Sequence, residues 1–449
     1  MQKIILKFKK IVDFFVNNAY NISGGTNMLV DFTFKNFKSF ADECTFTMQA
    51  ETDKNHEDNL IAGPQRLSKT RVIYGANAAG KTSFVEAINF VKMFLVNSNN
   101  MMTNQKIQVN PYKFRDNFIQ EPSFFSLTFI KEGLRYCYDF SCTRDKVLSE
   151  RLNVYYSAKP TNIFTRTNTN EYKFLAEDAK LLDELKIKNA ENKLFLATAD
   201  TWNYAKVKPV VDYILNDIVV SFNLETMWKL YFDEINASGE MEEYRKFCLE
   251  FLNNADLSID DFDVQSQKIK DAKLDPLTES ILSFMEKDNP NVSEHLRNSN
   301  VYNFTVSHKI TSGQDSKIYK LNLQEESLGT INMFQFAPIL YYVFKKNRVL
   351  VVDEIDKSLH PLLVKYLYSL FLNSDINKCN SQLIANTHDT NLLDLDFFRR
   401  DEIWFTERDF DTGTTTLFPL SDFSPRTNEN IERSYLLGRF GAIPFIKEV

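Results

Sequence analysis

From residue 28 the chain reads MLVDFTFKNFKSFADECTFTMQA, with apolar and polar positions alternating over two stretches. Successive side chains of a strand point to opposite faces, so this pattern predicts paired strands with one buried side. Residues 71–74 (RVIY) form a short apolar run, read as a buried strand, that leads directly into Gly75-Ala76-Asn77-Ala78-Ala79-Gly80-Lys81-Thr82. In 82–96, Phe84, Ile88, Val91 and Leu95 recur at helical spacing. Residues 120–175 again look strand-rich, with FFSLTFI, YCYDFSC and RLNVYYS separated by turn-like Lys-Glu-Gly and Thr-Arg-Asp. The pattern turns helical and acidic over 176–300, and no heptad register persists, so no long coiled-coil arm is expected.

Strands return at 300–325. Ser327-Leu328-Gly329-Thr330 then precedes the apolar helix INMFQFAPILYYVF. A buried strand (348–352), a helix (362–372), a strand (382–385) and IWF at 403–405 follow. Alternating strands and helices predict a mostly parallel sheet covered on both faces. The expected division is an extension over 1–27, an N-terminal lobe over 28–175, a helical lobe over 176–300 and a C-terminal lobe over 301–449.

Composition narrows this picture only a little. A chain of 449 residues with 43% hydrophobic and 25% charged positions is ordinary globular material, long enough for two or three cores. Phenylalanine is abundant (39) and glycine scarce (12), so two glycines in one short loop stand out. A net charge of -7 gives no global reason for non-specific nucleic-acid binding. The five cysteines are scattered without a CxxC pair, which reads as a reduced, cytoplasmic protein. No run of about 18 apolar residues is present, so no transmembrane helix is expected. The apolar, basic stretch KIILKFKKIVDFFV lies before Ser23-Gly24-Gly25, and Gly-Gly can be encoded as a ribosome-binding sequence. Translation is therefore expected to start at Met28, and a native N-terminal peptide beginning earlier would refute this.

The chemistry sits in four places. GxxxxGK[ST] between a strand and a helix is a phosphate cradle: backbone N–H groups point inward, and the positive end of the helix adds to them. In that frame Gly75 to Thr82 and Ser83 hold nucleotide phosphates, Lys81 reaches the β- and γ-phosphates, and the Thr82 hydroxyl serves Mg²⁺. Second, the apolar strand Val349-Leu350-Val351-Val352 ends in Asp353-Glu354. Carboxylates at that strand edge suit a Mg²⁺ aspartate (Asp353) and a general base for water (Glu354). Third is Ile355-Asp356-Lys357-Ser358-Leu359-His360-Pro361, and fourth is Thr387-His388-Asp389, where His388 is read as a γ-phosphate contact. Arg399-Arg400-Asp401 is read as a solvated charge pair.

The order phosphate loop, SxGT, hydrophobic-DE, DxSLHP, THD resembles the ATP-binding-cassette heads of SMC, RecF and OLD-like ATPases. Lys35-Asn36-Phe37-Lys38-Ser39-Phe40 looks like the NFxS opening of those heads. DEIDKSLHP, THDTNLLD, RRDEIWF and YLLGRFGAIPFI further resemble the AAA ATPases of bacterial abortive-infection systems, of the AbiL/RloA type and related to the PARIS ATPase. The resemblance implies an α/β P-loop NTPase of ABC-ATPase-head type, with a strand-rich N-terminal lobe and an inserted helical lobe. It implies ATP and Mg²⁺ as cofactors, and a homodimer or higher homo-oligomer that sandwiches ATP. Ser327 and Gly329 would then act on the partner's ATP, with Asp356 at the seam, although SLGT departs from the LSGGQ of transporter cassettes. Gln108 is a candidate for the family's Q-loop glutamine. The function implied is the sensor ATPase of an anti-phage system controlling a separate effector nuclease, without a membrane role. The alternative is a RecF-like DNA-repair ATPase that binds DNA directly.

Overall fold

The computed structural model describes residues 27–444 except 64, 273–278, 280–296, 313–314 and 427. The expected start at Met28 turns on whether residues 1–27 belong to the protein, and of these 1–26 lie outside the described residues. By their contacts the described residues divide into two units, one of 27–223 with 343–444 and one of 224–342.

The larger unit opens with β1 (Met28–Lys35) and β2 (Cys44–Thr47), whose burial alternates with the sequence after a fully buried start, Met28 to Val30. A two-residue-stranded hairpin, β3 (Leu60–Ile61) and β4 (Leu67–Ser68), precedes β5 (Thr70–Gly75), which is buried along its whole length. The helix α1 (Lys81–Ser98) follows. Then come β6 (Ser123–Lys131), β7 (Leu134–Cys142), β8 (Val147–Tyr155), β9 (Thr161–Thr167) and β10 (Glu171–Phe174). β6 and β7 are joined by Glu132 and Gly133, both at positive φ (53° and 79°), which matches the twist of a two-residue hairpin. These strands form a seven-stranded antiparallel sheet in the order β10-β9-β8-β7-β6-β1-β2.

Phenylalanines explain how α1 docks on that sheet. Phe84 packs against Phe32, Phe34 and Phe46, Phe90 against Phe37 and Phe125, and Phe94 against Phe140. The helix also touches β5 and the later strand β11 (Ile218–Ser221), so it is buried on two sides. Two short helices, α2 (Ala179–Lys186) and α3 (Phe195–Thr201), cover the strand-rich part. The start of α3 is capped from the sheet: the fully buried Glu150 accepts from Phe195 N (2.6 Å), Leu196 N (2.8 Å) and Tyr138 Oη (3.0 Å). Its counter-ion is the equally buried Arg166, 3.7 Å away.

The smaller unit holds α4 (Leu224–Ser238), α5 (Met241–Asn254), the antiparallel strands β12 (Asp261–Lys268), β13 (Asn300–Ser312) and β14 (Asp315–Asn322), and most of α6 (Leu328–Lys346). Phe232, Phe262, Phe304 and Phe334 form its aromatic core.

The chain returns to the larger unit with β15 (Val349–Val352), α7 (Pro361–Leu372), β16 (Gln382–Asn386), β17 (Ile403–Arg408), β18 (Thr415–Pro419) and α8 (Ile431–Leu436). The second sheet runs β11-β15-β16-β5-β17-β18, parallel except for β18. β16 therefore separates the phosphate-loop strand from the carboxylate strand.

One charged stretch behaves differently from its reading as a solvated pair. Arg399 (1% exposed) and Asp401 (4%) are buried and paired at 3.0 Å. The guanidinium also donates to the carbonyls of Asn55 and Glu51, because a segment some 350 positions earlier covers it. No helix among the described residues is long and apolar enough to cross a membrane.

Candidate nucleotide site

β5 ends at Gly75 directly beside Thr406 of β17. A Cβ on Gly75 would fall 2.3 Å from Thr406 Oγ1 and 2.5 Å from its carbonyl oxygen, so the strand pairing itself demands glycine. The loop then turns through Ala78 (φ 62°) and Gly80 (φ 109°). At Gly80 a Cβ would meet Thr415 Cγ2 at 2.6 Å. Thr415 braces the loop by donating from Oγ1 to Ala79 O (3.0 Å), and its own N–H reaches Ser39 O (2.8 Å). No side chain caps the start of α1, so its first N–H groups face the cavity in front of the loop.

Lys81 folds back over the loop, donating to Gly75 O (2.7 Å) and Ala76 O (3.1 Å). Burial pulls its pKa down to about 8, against the opposing pull of Asp353, Asp356 and Glu354. The Thr82 hydroxyl lies 3.2 Å from Asp353 Oδ1. That same carboxylate oxygen receives the amide of Asn386, which is fully buried at the end of β16. Asn386 Oδ1 in turn accepts from Glu354 N (2.6 Å) and so holds Glu354 in its left-handed conformation (φ 53°). Asp356 Oδ2 accepts from His388 N (3.0 Å), tying the third and fourth motifs together.

The phosphate loop, Ser83, Glu354 and His388 line one cavity of about 620 Å³. Three further cationic side chains also line it: Lys38, from the NFxS-like segment, and Lys113 and Arg408, which lie in no motif. Lys81, Lys113 and Arg408 set three cations against the one lining carboxylate, Glu354, which suits a polyanion, while Lys38 is ion-paired with Glu86. Ser39, in the same wall, has a buried Oγ without a hydrogen-bond partner. The Thr82–Asp353 pair, the open helix start and the tight glycines fit a magnesium–nucleoside triphosphate. Gln108 does not line this cavity; it donates to Lys106 O and borders a separate one with Phe90. Ser327 and Gly329 belong to the smaller unit, where Ser327 Oγ accepts from Thr330 N (3.1 Å) at the start of α6.

A family model described as "AAA domain, putative AbiEii toxin, Type IV TA system" matches residues 72–394, which span both motif clusters. Among solved structures the chain is similar to an Smc head bound to the C-winged-helix domain of ScpA, with 14% identity over 87% of this chain and 97% of that chain and a TM-score of 0.39. It is also similar to the Smc head with an extended coiled coil bound to the C-terminal domain of ScpA from Pyrococcus furiosus (14% identity, 92% and 99% covered, TM-score 0.35). A third is the Smc head with coiled coil and joint from Pyrococcus yayanosii (13% identity, 89% and 100% covered, TM-score 0.34). No curated protein matches the chain. The α/β P-loop fold expected from the motifs is the one found.

Proposed function

The chain belongs to this family of AAA domains, and on that premise we propose that it is a Mg²⁺-dependent ATPase. The observation that carries the reading is the single hydrogen-bonded chain Thr82–Asp353–Asn386–Glu354 at the mouth of the phosphate loop. Thr82 and Asp353 would hold Mg²⁺, which when bound supplies charge neutralisation between the β- and γ-phosphates. Gly75 to Ser83 cradle the phosphates, and Lys81 exchanges its two loop carbonyls for phosphate oxygens. Glu354, exposed to the cavity and fixed through its own N–H, orients and deprotonates the attacking water. His388 contacts the γ-phosphate, and Asp356 positions its backbone.

The proposal extends to a homodimer in which Ser327 and Gly329 of one copy complete the site of the other. Leu328 between them is 68% exposed, which supports a segment available to a partner. The reading extends further to the sensor ATPase of an anti-phage system acting on a separate effector nuclease, which rests on the motif resemblance; the family description names only a putative AbiEii toxin and a Type IV TA system. The test is Glu354→Gln. This variant is expected to bind ATP, to hydrolyse it at least about 100-fold more slowly and to accumulate as an ATP-dependent dimer. Turnover at the wild-type rate would remove Glu354 from its role.

A further inference from the structure

We infer that Phe114 is the stacking platform for the nucleobase of the bound nucleotide, presented by a loop that Asn36 clamps; this rests on the reading of the cavity as a nucleotide site. Phe114 lines the cavity and leaves 66% of its surface exposed, so its ring is accessible to a ligand bound there. The ring is supported from behind. The Arg408 guanidinium lies over it at 5.6 Å, and Gly413 packs so closely that a Cβ there would stand 3.1 Å from Phe114 Cδ2. Tyr112 meets it edge-on, with centroids 5.7 Å apart.

The loop carrying the ring is held rigidly. Asn36, fully buried and in the left-handed region (φ 53°), accepts from Tyr112 N (2.9 Å) and donates to Phe118 O (2.8 Å) and Glu121 O (2.9 Å). Lys38 N reaches Asn110 O (2.7 Å), and the Tyr112 hydroxyl donates to Thr412 O. An exposed aromatic ring on a loop already held in place loses little entropy when a base stacks on it. Arg408, over the ring and lining the same cavity, adds a cation beside the stacking position. Lys113, on the same wall, remains for phosphate or ribose oxygens, while Lys38 is ion-paired with Glu86.

The experiment measures dissociation constants of the full chain for Mg·ATP and for inorganic tripolyphosphate, which has the phosphates but no base. Phe114→Ala is expected to weaken Mg·ATP binding by about tenfold or more and to leave tripolyphosphate within about twofold. Phe114→Trp should keep Mg·ATP affinity, and since residue 114 is exposed neither change threatens the fold. Unchanged Mg·ATP binding by Phe114→Ala, or an equal loss for both ligands, would overturn the proposal. Lys81→Ala tests the underlying reading separately, because it should weaken both ligands. Tripolyphosphate binding that ignores Lys81 would sink the phosphate-loop assignment, whatever Phe114 does.

Discussion

Asn386 ties the Asp353 carboxylate to the Glu354 backbone: its amide nitrogen donates to Asp353 Oδ1, and its amide oxygen accepts from the Glu354 N–H. It touches no cavity space itself, so it is a positioning residue. Asn386→Ala should lower kcat by about 10–100-fold and raise the Mg²⁺ concentration needed for half-maximal turnover, with little change in ATP affinity. A Mg²⁺ titration of both proteins checks this; an unchanged midpoint would mean that Asp353 is positioned by something else.

Lys81 gives the site a pH limit. Its ammonium is charged below about pH 8 and neutral above it in the free protein, because burial has lowered its pKa from 10.5. Phosphates favour the charged form, so binding takes up a proton where the free amine is neutral. ATP affinity should be flat below pH 7.5 and about tenfold weaker at pH 9. Calorimetry in buffers of different ionisation enthalpy should register proton uptake at pH 8.5 and almost none at pH 7.

The contact between Gly75 and Thr406 leaves no room for a methyl group, and the parallel pairing of β5 with β17 prevents either strand from withdrawing. Gly75→Ala should cost about 1–3 kcal/mol of stability and abolish ATP binding. Gly133, whose Cβ would meet nothing within 4 Å, is the comparison: Gly133→Ala pays only for its φ of 79°, and ATP affinity should survive. Thermal unfolding with and without Mg·ATP separates the two.

The buried pair Glu150–Arg166 offers a test of structure without chemistry. Replacing Glu150 by Leu leaves the Arg166 guanidinium buried beside an apolar group and uncaps α3. Stability should fall by about 3–5 kcal/mol. The nucleotide dissociation constant, measured on the fraction that remains folded, should not move. A parallel loss of ATP affinity would show that the antiparallel sheet and the phosphate loop are coupled.

Much of the site was legible in contiguous strings. Gly75 to Thr82, Asp353-Glu354 and His388 each stand in short contiguous motifs, and alternation marked β1 and β2 for the same local reason. Asn386 was invisible because it closes an ordinary apolar strand, QLIAN, and its partners stand in another motif. Lys38, Phe114 and Arg408 come to one cavity from three distant segments, and no spacing rule connects them. The four-residue strand β11 gave no signal, since its burial comes from pairing with β15 far along the chain. Arg399 and Asp401 looked solvated because charge in a sequence says nothing of the loop that will cover it.

The position of β5 between β16 and β17 also bears on how the protein comes into being. The strand that ends in the phosphate loop is made early, yet both of its neighbours in the sheet are made only from residue 382 onward. At ordinary translation rates it waits on the order of 15 to 60 seconds without a partner. Until then its apolar residues are available to chaperones and to wrong pairings, and the nascent chain has no formed loop with which to hold ATP. A bound nucleotide would therefore stabilise the finished protein rather than guide its synthesis, and a message broken before β17 leaves β5 without one of its two neighbours.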